Sequence, residues 1–244
     1  MFKKIIKKIY QASKAFLHGL FWYARDLVKF KALSKRTGQK FTFRFFPMLF
    51  DKNPSSHTFD KHYVYMDRWA FKKILEKKPT EHVDVGSSIR FLSMASTVAK
   101  LKFVDIRPIK LDFENFECME GNISNLPFAD NSVESLSCLH VAEHIGLGRY
   151  GDPLDPLGTI KACRELMRVL KPGGSLYFAL PIGKSAVYFN AHRVHDPLEI
   201  IRYFKNLRLI SFSAVGDNGR FIDQAKPEDY ARASYACGMY EFSK

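Results

Sequence analysis

The sequence predicts an α/β protein with a mostly parallel sheet of the nucleotide-binding type, covered by helices on both faces. Three observations carry this prediction. The stretch EHVDVGSSIRFL, residues 81–92, is typical of a buried strand that ends in an acid and a glycine. A second apolar stretch, residues 102–108, includes Asp105 about 20 residues after that glycine, where nucleotide-binding βαβ units place a carboxylate. A helical pattern over residues 156–170 precedes KPGG and a return strand.

The turn after the first strand is where a ligand is expected to bind. Val83 and Val85 suit a buried parallel strand, and Gly86 permits a tight turn with close approach of the backbone. The following helix would offer free amide groups to the ligand. The second glycine of the usual fingerprint is missing because Ser87 and Ser88 occupy the turn, so the turn alone is a weak indication.

The remaining elements follow in the order that such a sheet requires. The sequence predicts strands within FECMEGNIS, LPFADNSVESLSCLHVAEHI, SLYFALPIG and the terminal YACGMYEFSK. In front of the first strand, HYVYMDRWAFKKILEKKP predicts a helix that Pro79 ends. The apolar residues expected to cover the sheet from this helix are Tyr65, Trp69, Phe71 and Leu75.

Positive charge is concentrated at the start of the chain. Residues 1–40 hold 11 of the 38 Lys and Arg and a single acid, and so contribute +10 of the net charge of +13. The longest uncharged run there is about 10 residues, whereas a membrane span needs about 20. Apolar residues recur at helical spacing, which predicts a basic amphipathic helix on an anionic membrane surface, with Phe16, Phe21, Trp22 and Tyr23 inserted. The alternatives are a helix that packs on its own domain or on a second subunit, and a nucleic-acid-binding arm.

The chain is expected to divide into the basic helix of residues 1–40, a linker or lid over residues 41–60, and one domain over residues 61–244. In the middle piece, TFRFFPMLFD is compatible with an edge strand interrupted at Pro47, and DKNPSSH with a turn. The four cysteines are far apart and form no CxxC pair. This suits a reducing compartment and argues against a zinc site.

The run from LPFADNSVESLSC to RVLKPGG resembles the class I S-adenosylmethionine-dependent methyltransferases, and the resemblance extends over roughly residues 60–244. It implies a Rossmann-like sheet of seven strands and S-adenosylmethionine as the cofactor. The cofactor site that it implies consists of Asp84, Gly86, Ser87, Asp105, Asn122, Leu139 and His140. A carboxylate such as Asp105 accepts hydrogen bonds from both ribose hydroxyls, and Asn122 accepts one from the adenine amino group. Asp84 has the alternative role of capping the turn that follows it.

Two strings rich in functional groups follow the fourth and fifth strands, HVAEHIGLGRYGDPLDPLG at residues 140–158 and FNAHRVHDP at residues 189–197. Ligands bind on that side of open α/β sheets. We expect catalysis by His144, His192 and Asp152, and acceptor binding by Arg149, Tyr150, Arg193 and His195. Neutral imidazole is available near pH 7 as a base for a hydroxyl acceptor. A metal held by His144, His192, Asp152 and Asp155 is the alternative; without a tight ligand motif we predict no metal.

Both strings and the terminal YACGMYEFSK also resemble a family of methyltransferase-like proteins that is catalogued as a domain of unknown function and often encoded among surface-glycan genes. The resemblance implies O-methylation of a sugar of a surface polysaccharide or lipid-linked glycan, in the cytoplasm at the inner face of a bacterial membrane. Three other functions stay open: a non-methylating protein that binds or modifies a nucleotide-linked sugar, a scaffold in glycan assembly, and an RNA methyltransferase, which would need a basic crevice. A homo-oligomer is compatible with all of these functions.

Overall fold

The computed structural model describes residues 2–50, 52 and 59–244, with the backbone alone for residues 2–5 and 7–9. The chain divides into two compact units, Met1–Phe59 and Asp60–Lys244. The turn expected at DKNPSSH falls outside the described residues, apart from Lys52. The side chains that begin the predicted amphipathic stripe, at residues 2–5 and 7–9, fall outside them as well.

The helices are α1 (Phe2–Thr37), α2 (Lys61–Lys77), α3 (Ile89–Ala95), α4 (Gly158–Val169) and α5 (Pro197–Tyr203). The strands are β1 (Glu81–Val85), β2 (Lys100–Asp105), β3 (Phe116–Glu120), β4 (Val133–Leu139), β5 (Leu170–Ile182), β6 (Ala186–Tyr188), β7 (His192–Val194), β8 (Arg208–Val215), β9 (Phe221–Ile222) and β10 (Ala236–Ser243). The predicted helices at α1, α2 and α4 and the predicted last strand, β10, are confirmed. KPGG is not a separate turn but part of β5, whose register against β4 shifts between Val133 and Ser135.

The main sheet has eight strands in the order β3-β2-β1-β4-β5-β10-β8-β9. The five strands from β3 to β5 are parallel, whereas β10 is antiparallel to both β5 and β8. The expected sheet of seven strands is therefore corrected to a mixed sheet of eight. The extra strand is the two-residue β9, which pairs with the end of β8. A separate hairpin, β6 and β7, lies outside this sheet.

Helices cover both faces of the sheet, as predicted. On one face the buried side chains of α2 and α3 form a cluster that includes Met66, Trp69 and Phe91. On the other face α4 and α5 contribute residues such as Leu166 to a second cluster. The buried stripe of α2 differs from the predicted one, because Met66, Ala70 and Ile74 flank Trp69 in the core. Leu75, which was expected to cover the sheet, is exposed.

The strand order reverses direction beside β1. From β1 the chain proceeds outward through β2 to β3, then returns to the other side of β1 to form β4 and β5. The carboxyl ends of β1 and β4 therefore flank a crevice with no crossover connection between them. Open α/β sheets bind their ligands at such a switch point.

In the N-terminal unit, the segment that follows α1 runs back along the helix. Leu49 is buried beside Gly19, where an added Cβ would lie 2.6 Å from the carbonyl oxygen of Leu49. Phe41 lies farther along α1, with its ring centroid 5.7 Å from that of Phe30. The segment therefore runs antiparallel to α1, with its later residues beside earlier residues of the helix. Residues 39–49 have no regular secondary structure, so the edge strand considered for this segment is absent from this described part of the chain.

Two of the four aromatic residues expected to insert into a membrane also make contacts within the N-terminal unit. Tyr23 makes an edge contact with Phe45, with ring centroids 6.1 Å apart. The ammonium of Lys52 lies 4.3 Å from the centroid of the Trp22 ring. None of the helices in the described residues is long and apolar enough to cross a membrane.

Candidate active site

Two adjoining cavities occupy the crevice at the switch point, with volumes of about 380 and 260 Å³. The larger one lies over the ends of β1, β2 and β3, and its walls include Asp105, Arg107, Asn122 and Asp152. The smaller one is bounded by the start of α2, the loop after β4 and β7. Four residues contribute to both cavities: Gly86, His140, His144 and Tyr150. The two spaces therefore meet at the turn after β1.

Both the backbone conformation and the close neighbours of residue 86 favour glycine at this position. Its φ of +70° is one that side chains rarely adopt. A Cβ at this position would lie 3.0 Å from a methyl group of Val141 and 3.7 Å from Asp105 Oδ2. A side chain here would therefore project into the space beside Asp105. This single glycine keeps the junction of the two cavities open.

Asp84 supports the turn from inside the protein. Its carboxylate is fully buried and accepts hydrogen bonds from the backbone N–H of Ser87 at 3.0 Å, the Ser87 hydroxyl at 2.7 Å and the Ser137 hydroxyl. Burial raises the pKa of Asp84 to about 7, against the lowering effect of these donors. The Ser87 hydroxyl also accepts the N–H of Leu139 at 3.1 Å, which ties the turn to the end of β4. Asp84 lines neither cavity, whereas Ser87 and Leu139 line the smaller one.

Asp105 and Asn122 present oxygen atoms to the larger cavity. Asp105 Oδ1 accepts the backbone N–H of Arg107 at 2.8 Å, while Oδ2 faces the turn at Gly86. Asn122 Oδ1 accepts the N–H of Ser124 at 2.8 Å and keeps a second lone pair. The two side chains follow neighbouring strands, β2 and β3. This is the arrangement expected for groups that bind a ribose and its base.

The loop after β4 holds His144 in a defined orientation. Its Nδ1–H donates to the carbonyl oxygen of Ala191 at 2.6 Å, which leaves Nε2 as the basic nitrogen. Arg149 donates to the same carbonyl oxygen at 3.1 Å. Burial lowers the pKa of His144 to about 4, so its imidazole is neutral at pH 7.

The two histidine-containing strings meet in the smaller cavity. His192 lies there with His144 and Arg149, and its ring centroid is 5.1 Å from that of Tyr235. Asp152 lines the larger cavity instead. Its oxygens accept the backbone N–H groups of Gly146 at 2.6 Å and of Tyr150 at 3.3 Å. Partial burial acts to raise the pKa of Asp152, but these donors outweigh it and the pKa is lowered.

Arg193 and His195 lie outside both cavities, contrary to the expectation that they bind an acceptor. The guanidinium of Arg193 is buried and donates to the carbonyl oxygens of Ile145 at 2.6 Å and Asp155 at 3.0 Å. It joins the β6–β7 hairpin to the loop after β4. His195 is also buried, beside Tyr203. Because side chains alternate along a strand, His192 and Arg193 face opposite sides of β7.

The metal site considered for His144, His192, Asp152 and Asp155 is not assembled. The carboxylate of Asp155 pairs with Lys161 at 2.7 Å and accepts the N–H of Leu157 at 2.9 Å. Asp152 is engaged by the backbone of its own loop. Both acids therefore shape the loop.

Six residues of the smaller cavity lie outside the predicted site: Asp60, His62, Tyr63, Ser88, Glu143 and Tyr235. Glu143 is 1% exposed, and burial raises its pKa to about 8. His62 stacks on Tyr235, with ring centroids 5.1 Å apart. Residues 62, 143 and 235 come from three distant parts of the chain, so no local pattern groups them. The sequence did offer one indication of these residues: His62 and Tyr63 are a polar pair at the start of the helix that packs beside the crevice.

Solved structures share this fold. The N-methyltransferase NodS from Bradyrhizobium japonicum WM9, in complex with S-adenosyl-L-homocysteine, is 12% identical with a TM-score of 0.52 over 81% of this chain and 91% of its own. A protein from Galdieria sulphuraria assigned as a sarcosine dimethylglycine methyltransferase is 15% identical with a TM-score of 0.52, over 74% and 86% of the two chains. The [4+2]-cyclase SpnF is 13% identical with a TM-score of 0.53, over 73% and 81%. The protein thus has the Rossmann-like methyltransferase fold, and the cyclase shows that this fold alone does not name a reaction.

The family is shown by a separate comparison. The model of DUF268, described as a Caenorhabditis protein of unknown function, matches residues 94–225, which is more than half of the chain. The chain therefore belongs to the DUF268 family. Its description names no reaction, substrate or cellular location. No curated protein matches the sequence.

Proposed function

We propose that this protein is an S-adenosylmethionine-dependent methyltransferase that methylates a hydroxyl group. The observation that carries the proposal is the larger cavity, which combines the Gly86 turn with the oxygen atoms of Asp105 and Asn122 at the switch point. In this assignment Asp105 binds the ribose hydroxyls, Asn122 lies beside the adenine, and the turn at Gly86 and Ser87 supports the methionine part. When bound, the cofactor supplies a methyl group on a sulfonium.

The smaller cavity is the proposed acceptor site. It meets the larger one at Gly86, so an acceptor there would lie next to the methionine end of the cofactor. Methyl transfer requires such in-line positioning of the two reactants. His144 supplies a neutral imidazole whose Nε2 is free to take the proton of a hydroxyl, because Nδ1–H is held by Ala191.

A sugar hydroxyl is the acceptor class that we favour. The smaller cavity is lined by polar side chains with both donors and acceptors, among them Tyr63, Arg149, Tyr150 and Tyr235. Such a lining suits a ligand with many hydroxyl groups. The resemblance to methyltransferase-like proteins of surface-glycan gene sets supports a surface polysaccharide or a lipid-linked glycan as the acceptor.

Calorimetric titration with S-adenosylmethionine and S-adenosyl-L-homocysteine tests the cofactor assignment. We expect binding by the wild-type protein and at least tenfold weaker binding by Asp105→Ala, a loss of about 1.4 kcal/mol. Asp112→Ala is the matched control, because Asp112 is an exposed acid on the connection that follows β2 and lines neither cavity. Absence of binding at millimolar ligand, or equal weakening by both substitutions, would overturn the assignment.

A second candidate function is a non-methylating protein that uses the same crevice. The fold similarity to the cyclase SpnF favours it, as does the replacement of the second glycine of the turn by serine. The distinguishing measurement is release of S-adenosyl-L-homocysteine with a panel of sugar-hydroxyl acceptors. Cofactor binding without such release from any acceptor would favour this second function.

We also propose that α1 binds an anionic membrane surface. Ile6, Tyr10, Leu17, Phe21 and Val28 are all exposed and recur at spacings of four and seven, so they form one apolar stripe. This stripe lies on the face of the helix opposite Gly19 and Phe30, against which the following segment packs. The excess of Lys and Arg in residues 1–40 adds attraction to anionic lipid, at about 1 kcal/mol for each near-surface charge.

Sedimentation of the full chain with phosphatidylserine vesicles tests this proposal. Phe21→Ser should weaken binding roughly tenfold or more, because it removes about 1.5 to 3 kcal/mol of apolar burial without changing the charge. Gln11→Ser, on the polar face of the same helix, is the matched control and should bind as the wild type does. Added salt should weaken all three proteins. Equal sedimentation of the two variants would contradict the proposal, and a dimer in solution that Phe21→Ser dissociates would indicate a second copy as the occupant.

A further inference from the structure

Three potential metal ligands converge at the inner wall of the smaller cavity. They are His62 at the start of α2, His140 directly after β4, and Cys237 in β10. One nitrogen or sulfur atom from each lies within 4.8 Å of those from the other two. His140 and Cys237 are buried, and His62 is half-buried. None of these residues belongs to the metal site that the sequence suggested.

The spacing of these atoms is close to that of a tetrahedral zinc site. With bonds of about 2.0–2.1 Å to nitrogen and about 2.3 Å to sulfur, neighbouring ligand atoms lie roughly 3.3 to 3.6 Å apart. His140 Nε2 lies 3.2 Å from Cys237 Sγ, so this pair is already at about that separation. His62 needs to approach by roughly 1 Å, which a small rotation of this half-exposed side chain about its χ angles would supply.

The other nitrogen of His140 faces an acid that lacks a hydrogen-bond partner. Nδ1 lies 3.4 Å from Glu143 Oε1. Both carboxylate oxygens of Glu143 are buried, and within the described residues neither has a hydrogen-bond partner. Metal-binding histidines commonly direct their second nitrogen at a carboxylate, which sets the tautomer and strengthens the ligand. The same oxygen lies 3.8 Å from His144 Nε2, so His140 Nδ1 is the nearer of its two imidazole neighbours, and a metal on His140 Nε2 gives Glu143 the role of positioning that ring.

The backbone of His140 is an independent sign of a functional position. Its φ is +57°, a left-handed conformation that is uncommon for a residue other than glycine. Its N–H donates to the carbonyl oxygen of Ala179 at 2.8 Å, which holds the strained residue at the end of β4. Strain of this kind is concentrated at active sites and ligand sites. At this position the imidazole lies against Cys237 of β10.

We propose that His62, His140 and Cys237 bind one zinc-class divalent ion, with Glu143 as the residue that positions His140. Two imidazoles and one thiolate favour zinc over magnesium or calcium, which prefer oxygen ligands. Three protein ligands leave a fourth position open, as in catalytic zinc sites. His62, His140 and Glu143 all line the smaller cavity, so that position is available to a ligand there. The metal site is inferred from the positions of these atoms alone. A role of the metal toward an acceptor hydroxyl rests on the proposed methyl transfer.

Binding of zinc and cobalt alone to the full chain tests the proposal. We expect one equivalent of Zn²⁺ by competition with a chromophoric chelator, and a thiolate-to-metal charge-transfer band when Co²⁺ is bound. Cys237→Ser should abolish that band, and His62→Ala should weaken Zn²⁺ binding at least tenfold. Cys118→Ser and His18→Ala are the matched controls, since both residues lie outside the cavities, and they should bind as the wild type does.

Glu143→Gln tests whether Glu143 positions His140 or is itself a ligand of the metal. It should keep the charge-transfer band and the single equivalent of metal while affinity falls roughly 10- to 100-fold. Wild-type protein that binds no Zn²⁺ at micromolar concentration, or that gives no thiolate band with Co²⁺, overturns the proposal even if a variant fails to fold. Because these titrations contain no S-adenosylmethionine, their failure is distinct from failure of the cofactor assignment.

Discussion

The two cavities differ in how they are built. The larger one combines groups at the ends of three parallel strands, Gly86 after β1, Asp105 at the end of β2 and Asn122 after β3, with residues of the loop after β4. The smaller one is assembled from α2, the loop after β4, the β6–β7 hairpin and the approach to β10. The strand-end part of the larger cavity thus depends on positions that any sheet of this order brings together. The smaller cavity depends on side chains that come from distant parts of the chain.

In the proposed function, the larger cavity binds the cofactor and the smaller one sets the reaction. The fold is shared with two methyltransferases and with a cyclase, so the fold by itself is compatible with more than one chemistry. The smaller cavity holds the buried Glu143 and the oriented His144, which are groups that carry chemistry. Substitutions in the two cavities should therefore affect different measurements.

The largest effect is expected from His144→Ala. With any hydroxyl acceptor that supports release of S-adenosyl-L-homocysteine, turnover should fall on the order of 100-fold or more, because a general base is lost. Cofactor affinity measured by calorimetry should stay within about twofold, since the base acts on the acceptor. His18→Ala, on α1, is the control and should retain wild-type turnover. A parallel loss of cofactor affinity in His144→Ala would show that the two cavities do not act separately.

A smaller effect is expected from Gly86→Ala, at the junction of the cavities. The added Cβ meets Val141 at 3.0 Å and approaches Asp105, so cofactor binding should weaken about tenfold. Gly173→Ala is the matched control because Gly173 also has a positive φ, +77°, but has no atom within 4 Å of an added Cβ. Both substitutions should cost about 1 to 2 kcal/mol of stability from backbone strain. Equal cofactor affinity of the two variants would show that the cofactor does not occupy the space beside Gly86.

The smallest effect is expected from Asp84→Asn, beneath the turn. Burial raises the pKa of Asp84 from 3.8 to about 7, so the folded state holds a proton that the unfolded state releases. The contribution of Asp84 to stability is therefore complete below about pH 4 and is lost as the pH rises toward 7. The free energy of unfolding of the wild type should therefore fall relative to that of Asp84→Asn over this range.

Chemical denaturation between pH 4 and 8 measures that difference. The comparison with Asp84→Asn is needed because His82, which bonds Ser137 beside Asp84, has its pKa lowered to about 3 by burial and so produces the opposite trend in both proteins. Parallel stability curves for the two proteins would contradict the raised pKa of Asp84.

Much of the fold was predictable because its signals are local. The strand and glycine at residues 81–86, the acid that ends β2 and the helix before KPGG each depend on a short run of residues. Hydrophobic periodicity also placed α1 and α2, although the buried stripe of α2 is shifted toward Met66 and Ile74. The number of strands was harder to predict from the sequence, because β9 is two residues long and is a strand only through its pairing with β8.

The sequence by itself determined the strand-end groups of the larger cavity and the presence of two polar strings. Only the tertiary structure decided that His144 and His192 share a cavity while Arg193 and His195 turn away from it. It also decided that His140 meets Cys237, 97 positions away. The physical reason is that a strand-end position is fixed by local backbone geometry, whereas the meeting of distant side chains depends on strand order, side-chain alternation and helix packing across the whole sheet.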